Sequence, residues 1–164
     1  MQMGSMQKEN ARQRDAVEED LNGITDSLGL FARQSVKPAM IDLFQVRGIT
    51  LKGTYLEAQR WLGGDTMAID VLADGPEVVV AVEVMMRLKQ KYVDGFLEKL
   101  PKFFDYFFRY RGLTLHGAVA GMSVDEQVAR YAYKHGLFVL VPSGENIQIW
   151  NDEKFVPRAF KEAM

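Results

Sequence analysis

The chain has 164 residues, close to the roughly 150 expected of one domain, so large multidomain machines are excluded. Hydrophobic residues at 48% and charged residues at 26% exclude a disordered or collagen-like chain. Because there is no cysteine and there are only two histidines, thiolate zinc sites, thiol nucleophiles and disulfides are excluded and any metal must be held mainly by oxygen. The net charge of −2 argues against a nonspecific coat for nucleic acid.

The N-terminal part of the chain is polar and favours helix. We expect a helical extension over residues 1–23 and a single domain over residues 24–164. Apolar residues recur at spacings of four and three, as in a heptad seam, at Val17, Leu21, Ile24, Leu28 and Phe31. Such a helix either lies on its own domain or joins two copies of the chain. The first residues lack the apolar core of a signal peptide and no segment resembles a membrane span, so a cytoplasmic protein is expected.

A second helix is predicted to end at Gly48. It contains Pro38, which lacks a backbone donor and should kink or restart the helix. From Ile49 onward, apolar and polar residues alternate, which indicates a half-buried strand that ends at Gly63.

Two more strands are predicted, over residues 66–74 and 77–85, joined by a tight turn on Gly75 and Pro76. The second of these is apolar on both faces, which is typical of a central strand covered on both sides. Helices must therefore flank the sheet.

Residues 92–110 carry aromatic side chains around most of a predicted helix, which Pro101 should bend. An intramolecular core or a dimer interface is the favoured interpretation, and base stacking is the alternative. A buried strand follows over residues 113–122. Ser123 and Glu126 then form the pattern of a capping box that opens a helix. The chain ends with two short strands within residues 137–151.

Asp70 and Glu83 break the pattern of the two central strands, since each is a carboxylate in a segment that otherwise looks buried. Such groups are costly unless they are paired, hydrogen-bonded or bound to metal. With the tight turn described above, Asp70 would face Ala81 and Glu83 would face Ala68. The two carboxylates would then be diagonal neighbours on one face, about 7–8 Å apart at the backbone.

Two convergent carboxylates suit Mg²⁺ or Mn²⁺, which prefer oxygen ligands and leave positions for substrate phosphate. That combination is typical of phosphodiester hydrolysis. Residues 85–111 carry seven basic and three acidic side chains. These basic side chains are candidates for contacts with a nucleic-acid backbone, and a solvated helix face is the alternative interpretation.

The segment from Ala68 to Leu100 resembles the core of the PD-(D/E)XK nucleases, which have the restriction-endonuclease-like fold. The match rests on the spacing of Asp70 and Glu83 and on the order of helices and strands. Residues 115–144 resemble more closely a bacterial branch of that superfamily, common in cyanobacteria, in which a similar segment follows the nuclease core. The resemblance covers roughly residues 24–160.

The resemblance implies an α/β fold with a core in the order α-β-β-β-α-β, a mixed sheet flanked by helices, an N-terminal helix and a C-terminal α-β-β segment. It implies a Mg²⁺-dependent or Mn²⁺-dependent DNA endonuclease, with Asp70 and Glu83 as the catalytic metal ligands. We expect a homodimer that binds DNA. No association with a membrane is expected.

The chain departs from the family at two positions. The family motif continues from the glutamate to a lysine, and Met85 stands there instead. Loss of one such preorganised group typically costs about 10²–10³ in rate. An early helical glutamate of the family also has no counterpart, because Arg33 and Gln34 occupy that stretch.

Another cation is therefore needed near Glu83. We assign Lys89 as the catalytic candidate and Arg87, Lys91 and Lys99 as candidates for binding nucleic acid, with a solvated surface side chain as the alternative for each. An ammonium within about 4–6 Å of Glu83 would favour the enzyme. The alternative function is a catalytically inactive nuclease-fold protein that serves as a DNA-binding or protein-assembly module.

Overall fold

The structure is a computed structural model that describes residues 27–162. A π-helical segment, Phe31–Val36, leads into helix α1, Lys37–Gln45. Pro38 lies in the first turn of α1, where a missing N–H is tolerated, and the wider π-helical turn comes directly before it. The backbone stays helical through Val36, with φ −74 and ψ −56, so the helix changes from π-helical to α-helical geometry near Pro38 and the expected restart is not seen. The predicted extension over residues 1–23 lies outside the described residues.

The remaining elements follow the order expected from the sequence. Three strands come first, namely β1 (Gly53–Leu62), β2 (Asp65–Asp74) and β3 (Val78–Leu88), and helix α2 (Gln90–Lys99) follows. A short helix, α3 (Phe103–Tyr106), lies between two 3₁₀ turns, Leu100–Lys102 and Phe108–Tyr110. The last elements are β4 (Thr114–Val124), α4 (Glu126–Lys134), β5 (Phe138–Ser143) and β6 (Asn146–Ile149). Within residues 27–162, no helix is both long and apolar enough to cross a membrane.

The six strands form one mixed sheet in the order β1-β2-β3-β4-β5-β6. The pairs β3–β4 and β4–β5 are parallel, and the other three are antiparallel. Strand β3 is central, and its residues Val79, Val80, Ala81 and Val82 are all fully buried, as its continuous apolar run predicts. The α/β class with a mixed sheet is therefore as expected.

Helices cover both faces of the sheet. On one face, the ring of Phe44 in α1 lies 4.9 Å from the ring of Phe138 in β5. On the other face, Phe96 of α2 and Ala132 of α4 belong to the same buried cluster as Val139 of β5. Because Phe138 and Val139 are adjacent in a strand, they point to opposite faces.

The turn between β2 and β3 is longer than expected, and the predicted register is wrong by two residues. The last pair before the turn is Asp74 with Val79, and the N–H of Gly75 donates to the carbonyl of Val78 across 2.9 Å. A Cβ atom at Gly75 would lie 1.9 Å from the carbonyl oxygen of Thr50. The loop thus packs so closely against the chain before β1 that position 75 has no room for a side chain.

The aromatic segment forms intramolecular core. Phe103 and Phe107 stack with their ring centroids 4.7 Å apart, and Phe104 and Tyr110 are also buried. The helix is interrupted at Pro101 and again at Phe107, and Phe108 is the one phenylalanine of this segment that is left largely exposed, at 54%. The core interpretation is confirmed.

The predicted capping box at the start of α4 is wrong. Ser123 belongs to strand β4, and the N-cap residue is Asp125, which makes no side-chain cap bond. The carboxylate of Asp125 instead accepts a hydrogen bond from Arg87. At the other end, Gly136 adopts φ +82, a left-handed conformation that suits glycine just beyond a helix.

Candidate functional site

The candidate site begins at Asp70, directly beside the point where the backbone hydrogen bonds between β2 and β3 end. Its last pair is Val71 with Val82. One residue further, Oδ2 of Asp70 accepts a hydrogen bond of 2.8 Å from the N–H of Val84. The carboxylate therefore takes the place of a backbone acceptor, and β2 and β3 separate at this point.

Glu83 lies across from Asp70. The register, extended by one residue, places the two directly opposite each other rather than diagonally. The observed register differs from the predicted one by two residues, and an even shift leaves each side chain on the same face of the sheet. The prediction that both carboxylates lie on one face is therefore correct, although the predicted pairing is wrong. The side chain of Glu83 is only 17% exposed.

Lys99 supplies a cation to these carboxylates. It is the last residue of α2, which runs back from the end of β3 over the sheet. Its Nζ lies 3.3 Å from Oε1 of Glu83 and 3.0 Å from the carbonyl oxygen of Ala68. The lysine side chain is 29% exposed, so this ion pair is partly shielded from water.

Burial dominates the electrostatics of the pair. Desolvation raises the pKa of Asp70, although the Val84 N–H and the charge of Lys99 act in the opposite direction. Desolvation also raises the pKa of Glu83, where Lys99 opposes the shift and Asp70 adds to it. Both carboxylates are thus held in surroundings that favour a further positive charge.

Glu57 of β1 is a third carboxylate near the site. The β1–β2 register, with Leu56 opposite Val71 and Ala58 opposite Ile69, sets Glu57 opposite Asp70, and its charge contributes to the raised pKa of Asp70. With φ +52, it is the only non-glycine residue with positive φ among residues 27–162. In the sequence, Glu57 looks like an ordinary polar residue of an alternating strand, so nothing there indicates this position.

The other basic candidates lie elsewhere. Lys89 is the N-cap residue of α2, six residues beyond Glu83 and about 20 Å along a strand at 3.3 Å per residue. The structure does not bring Lys89 to the carboxylates, because β3 continues to Leu88 and carries the chain away from Glu83. Arg87 pairs with Asp125 across 3.1 Å. Lys91 lies beside the ring of Tyr92, with Nζ 5.3 Å from its centroid.

The carboxylates meet the chemical requirements of a hard divalent cation only in part. Among residues 27–162, no group of three or more His, Asp or Glu side chains is arranged to hold a metal ion. Mg²⁺, however, is commonly held by one or two carboxylates and takes its other ligands from water and substrate phosphate. The oxygens of Asp70 and Glu83 fit that mode of binding.

A cleft of about 450 Å³ opens beside Lys99. It is lined by Thr66, Met67, Ala68, Gly95, Glu98, Lys99, Lys102 and Tyr106. Its two lysines outnumber its one carboxylate, Glu98, so the lining carries a net positive charge beside the carboxylate pair. A phosphate group that approaches Lys99 through this cleft would meet Lys102 as a second cation.

Comparisons with protein-family models, with curated proteins and with solved structures find no match to the chain.

Proposed function

We propose that the protein is a Mg²⁺-dependent or Mn²⁺-dependent endonuclease that hydrolyses phosphodiester bonds in DNA. The observation that carries the proposal is the position of Lys99, whose Nζ lies 3.3 Å from the carboxylate of Glu83. The order of the elements from α1 to β4 supports a restriction-endonuclease-like core, which is part of the same proposal.

Asp70 and Glu83 are the proposed metal ligands. When bound, the metal supplies Lewis-acid chemistry for attack on a phosphodiester. The Val84 N–H fixes one oxygen of Asp70, so the carboxylate is already oriented before metal and substrate arrive. That preorganisation lowers the cost of assembling the site.

Lys99 is the proposed stabiliser of charge on the phosphate. An ammonium has three N–H donors, and two are directed at Glu83 and at the carbonyl of Ala68. The third remains for a phosphate oxygen in the adjoining cleft. Lys99 thereby takes over the role that the family gives to the lysine at the position of Met85.

Metal binding by calorimetry, followed by a plasmid-nicking assay on the same samples, tests the proposal. The wild-type protein should bind Mg²⁺ or Mn²⁺ and nick the plasmid, whereas Asp70→Asn and Glu83→Gln should each lose both properties. These variants keep side-chain size, so a loss reports on charge and ligation rather than on packing. A wild-type protein that neither binds metal at millimolar concentration nor nicks DNA would instead favour an inactive DNA-binding or assembly module.

A further inference from the structure

A second cleft, of about 620 Å³, lies along the outer face of α4, away from the carboxylate pair. Its wall is formed by the start of α2, by α4 and by the chain after β6. Six lining residues carry its chemistry, namely Gln90, Gln127, Arg130, Tyr133, Lys134 and Trp150. The proposed function leaves this cleft without a role.

One side of the cleft is aromatic. Trp150 is half-buried and lies edge-on to Tyr133, with ring centroids 6.1 Å apart. The hydroxyl of Tyr133 donates to Asp152 across 2.6 Å, which fixes the tyrosine ring and engages the one carboxylate in the lining. Trp150 packs partly against the core and also lines the cleft, and a partly exposed indole is suited to stacking on a flat aromatic ligand.

The other side is polar and positive. Gln127, Arg130 and Lys134 are all exposed and follow one another at spacings of three and four on α4, which places them on one helical face. Arg130 pairs with Glu126, but both side chains are more than half exposed, and such surface pairs are weak. The arginine can therefore exchange its partner for a phosphate.

We propose that this cleft binds an unpaired nucleotide of the DNA substrate. The base stacks on Trp150, the carboxamides of Gln90 and Gln127 bind the base edge, and Arg130 and Lys134 bind the phosphate. A base-paired nucleotide is excluded, because both faces of its base are covered within the duplex. This inference rests on the proposed function.

The distance between the two sites fits one continuous strand. Helix α2 joins them, with Lys99 at the carboxylate pair and Gln90 in the cleft. Their nine intervening steps span about 14 Å at 1.5 Å per residue. In duplex geometry that length corresponds to about four nucleotides at 3.4 Å per strand. The nuclease would then favour DNA with an unpaired segment about four nucleotides from the cleavage site.

Fluorescence of Trp150 provides a direct test. The chain has two tryptophans, and Trp61 is 66% exposed, so Trp61→Phe leaves Trp150 as the only indole reporter. In buffer with EDTA, which prevents cleavage, three probes are compared: a blunt duplex, the same duplex with a single-stranded overhang on either end, and adenosine monophosphate.

The overhang duplex should quench Trp150 and bind about tenfold more tightly than the blunt duplex, which matches about 1.4 kcal/mol of stacking and phosphate contact. Equal affinity for both duplexes, or binding of the overhang without quenching, overturns the proposal. Quenching by adenosine monophosphate at the same concentration as by the overhang would also overturn it, since the cleft would then serve a free nucleotide.

Two matched double variants complete the test. Arg130→Gln with Lys134→Gln should abolish the preference for the overhang. Arg33→Gln with Lys52→Gln makes the same change in net charge at exposed positions outside the cleft and should retain it. If both double variants lose the preference for the overhang, the preference depends only on overall charge and the proposal is contradicted.

Failure of the cleft and failure of the nuclease are distinguishable. Binding is measured without metal, so Asp70→Asn should quench like the wild type while it loses nicking. If the overhang quenches Trp150 but the protein never nicks DNA, nucleotide binding in the cleft is supported and the proposed nuclease activity is contradicted. If the protein nicks DNA but shows no preference for overhangs, the nuclease activity is supported and nucleotide binding in the cleft is contradicted.

Discussion

The ammonium of Lys99 lies 3.3 Å from the carboxylate of Glu83, although the two residues are 16 positions apart and belong to different elements. The contact exists because α2 folds back along β3 and ends above Ala68, whose carbonyl also accepts a hydrogen bond from Lys99. The positive charge beside Glu83 therefore comes from helix α2, while the strand itself carries the uncharged Met85 two residues further on.

Lys99→Met should reduce the rate of plasmid nicking by about 10²–10³ at saturating Mg²⁺, the usual cost of one preorganised charge-stabilising group. Lys89→Met is the matched control, because it removes the same charge from the N-cap of α2, and it should stay within about twofold of the wild type. The measurement is the initial nicking rate with thermal unfolding as a check on folding. Equal losses in both variants would contradict the special role of Lys99.

Met85→Lys should restore nicking to the Lys99→Met variant. Met85 lies two residues after Glu83 on the same strand and is half-buried against the core, so its side chain leaves the sheet on the same side as Glu83. A lysine there can reach the carboxylate with its ammonium while its stem stays apolar. A recovery of at least about tenfold over Lys99→Met, in the range of one charge-stabilising group, is expected. No recovery would show that the position of the cation matters beyond its charge.

Much of the fold could be predicted from the sequence, because it follows from local patterns. The continuous apolar run of β3 indicated a central strand, and the alternation in β1 and β2 indicated their neighbours. The incorrect predictions concern features that depend on contacts between residues far apart in the sequence. In the turn after Asp74, Gly75 packs closely against the backbone of Thr50, and the sequence of the hairpin itself does not indicate that contact.

The candidate site could be predicted only in part for the same reason. Asp70 and Glu83 were identifiable, since a carboxylate in an apolar strand is unusual wherever the strand packs. The sequence does not distinguish Lys89 from Lys99 as the cation near Glu83, since both are basic residues that follow it along the chain. Helix α2 runs back along the sheet, so Lys99 at its end lies beside Glu83 and Lys89 at its start does not. Glu57 carried no sequence signal, because its neighbourhood to Asp70 depends on pairing between β1 and β2.

Asp70→Asn and Glu83→Gln should each raise the melting temperature in EDTA at neutral pH. Burial raises the pKa of both carboxyl groups, so their ionised forms are less favourable in the folded state and a neutral amide removes that cost. Each kcal/mol gained corresponds to about 2–4 °C in Tm for a protein of this size. In the wild type, added Mg²⁺ should raise Tm, while neither variant should respond. Thermal scans with and without metal measure both effects. A drop in Tm for both variants in EDTA would contradict the electrostatic argument.

Stability should also depend on His116 as pH falls. Burial lowers the pKa of His116 below its ordinary value of 6.5, and its Nδ1 lies 3.0 Å from the carbonyl oxygen of Arg158. The unfolded chain therefore takes up a proton before the folded protein does, and stability present above pH 6.5 is lost as pH falls towards the lower folded pKa. Urea unfolding at several pH values should show a decline in the free energy of unfolding that His116→Asn flattens, since asparagine keeps a donor near that carbonyl but does not titrate. An unchanged slope in the variant would assign the decline to other groups.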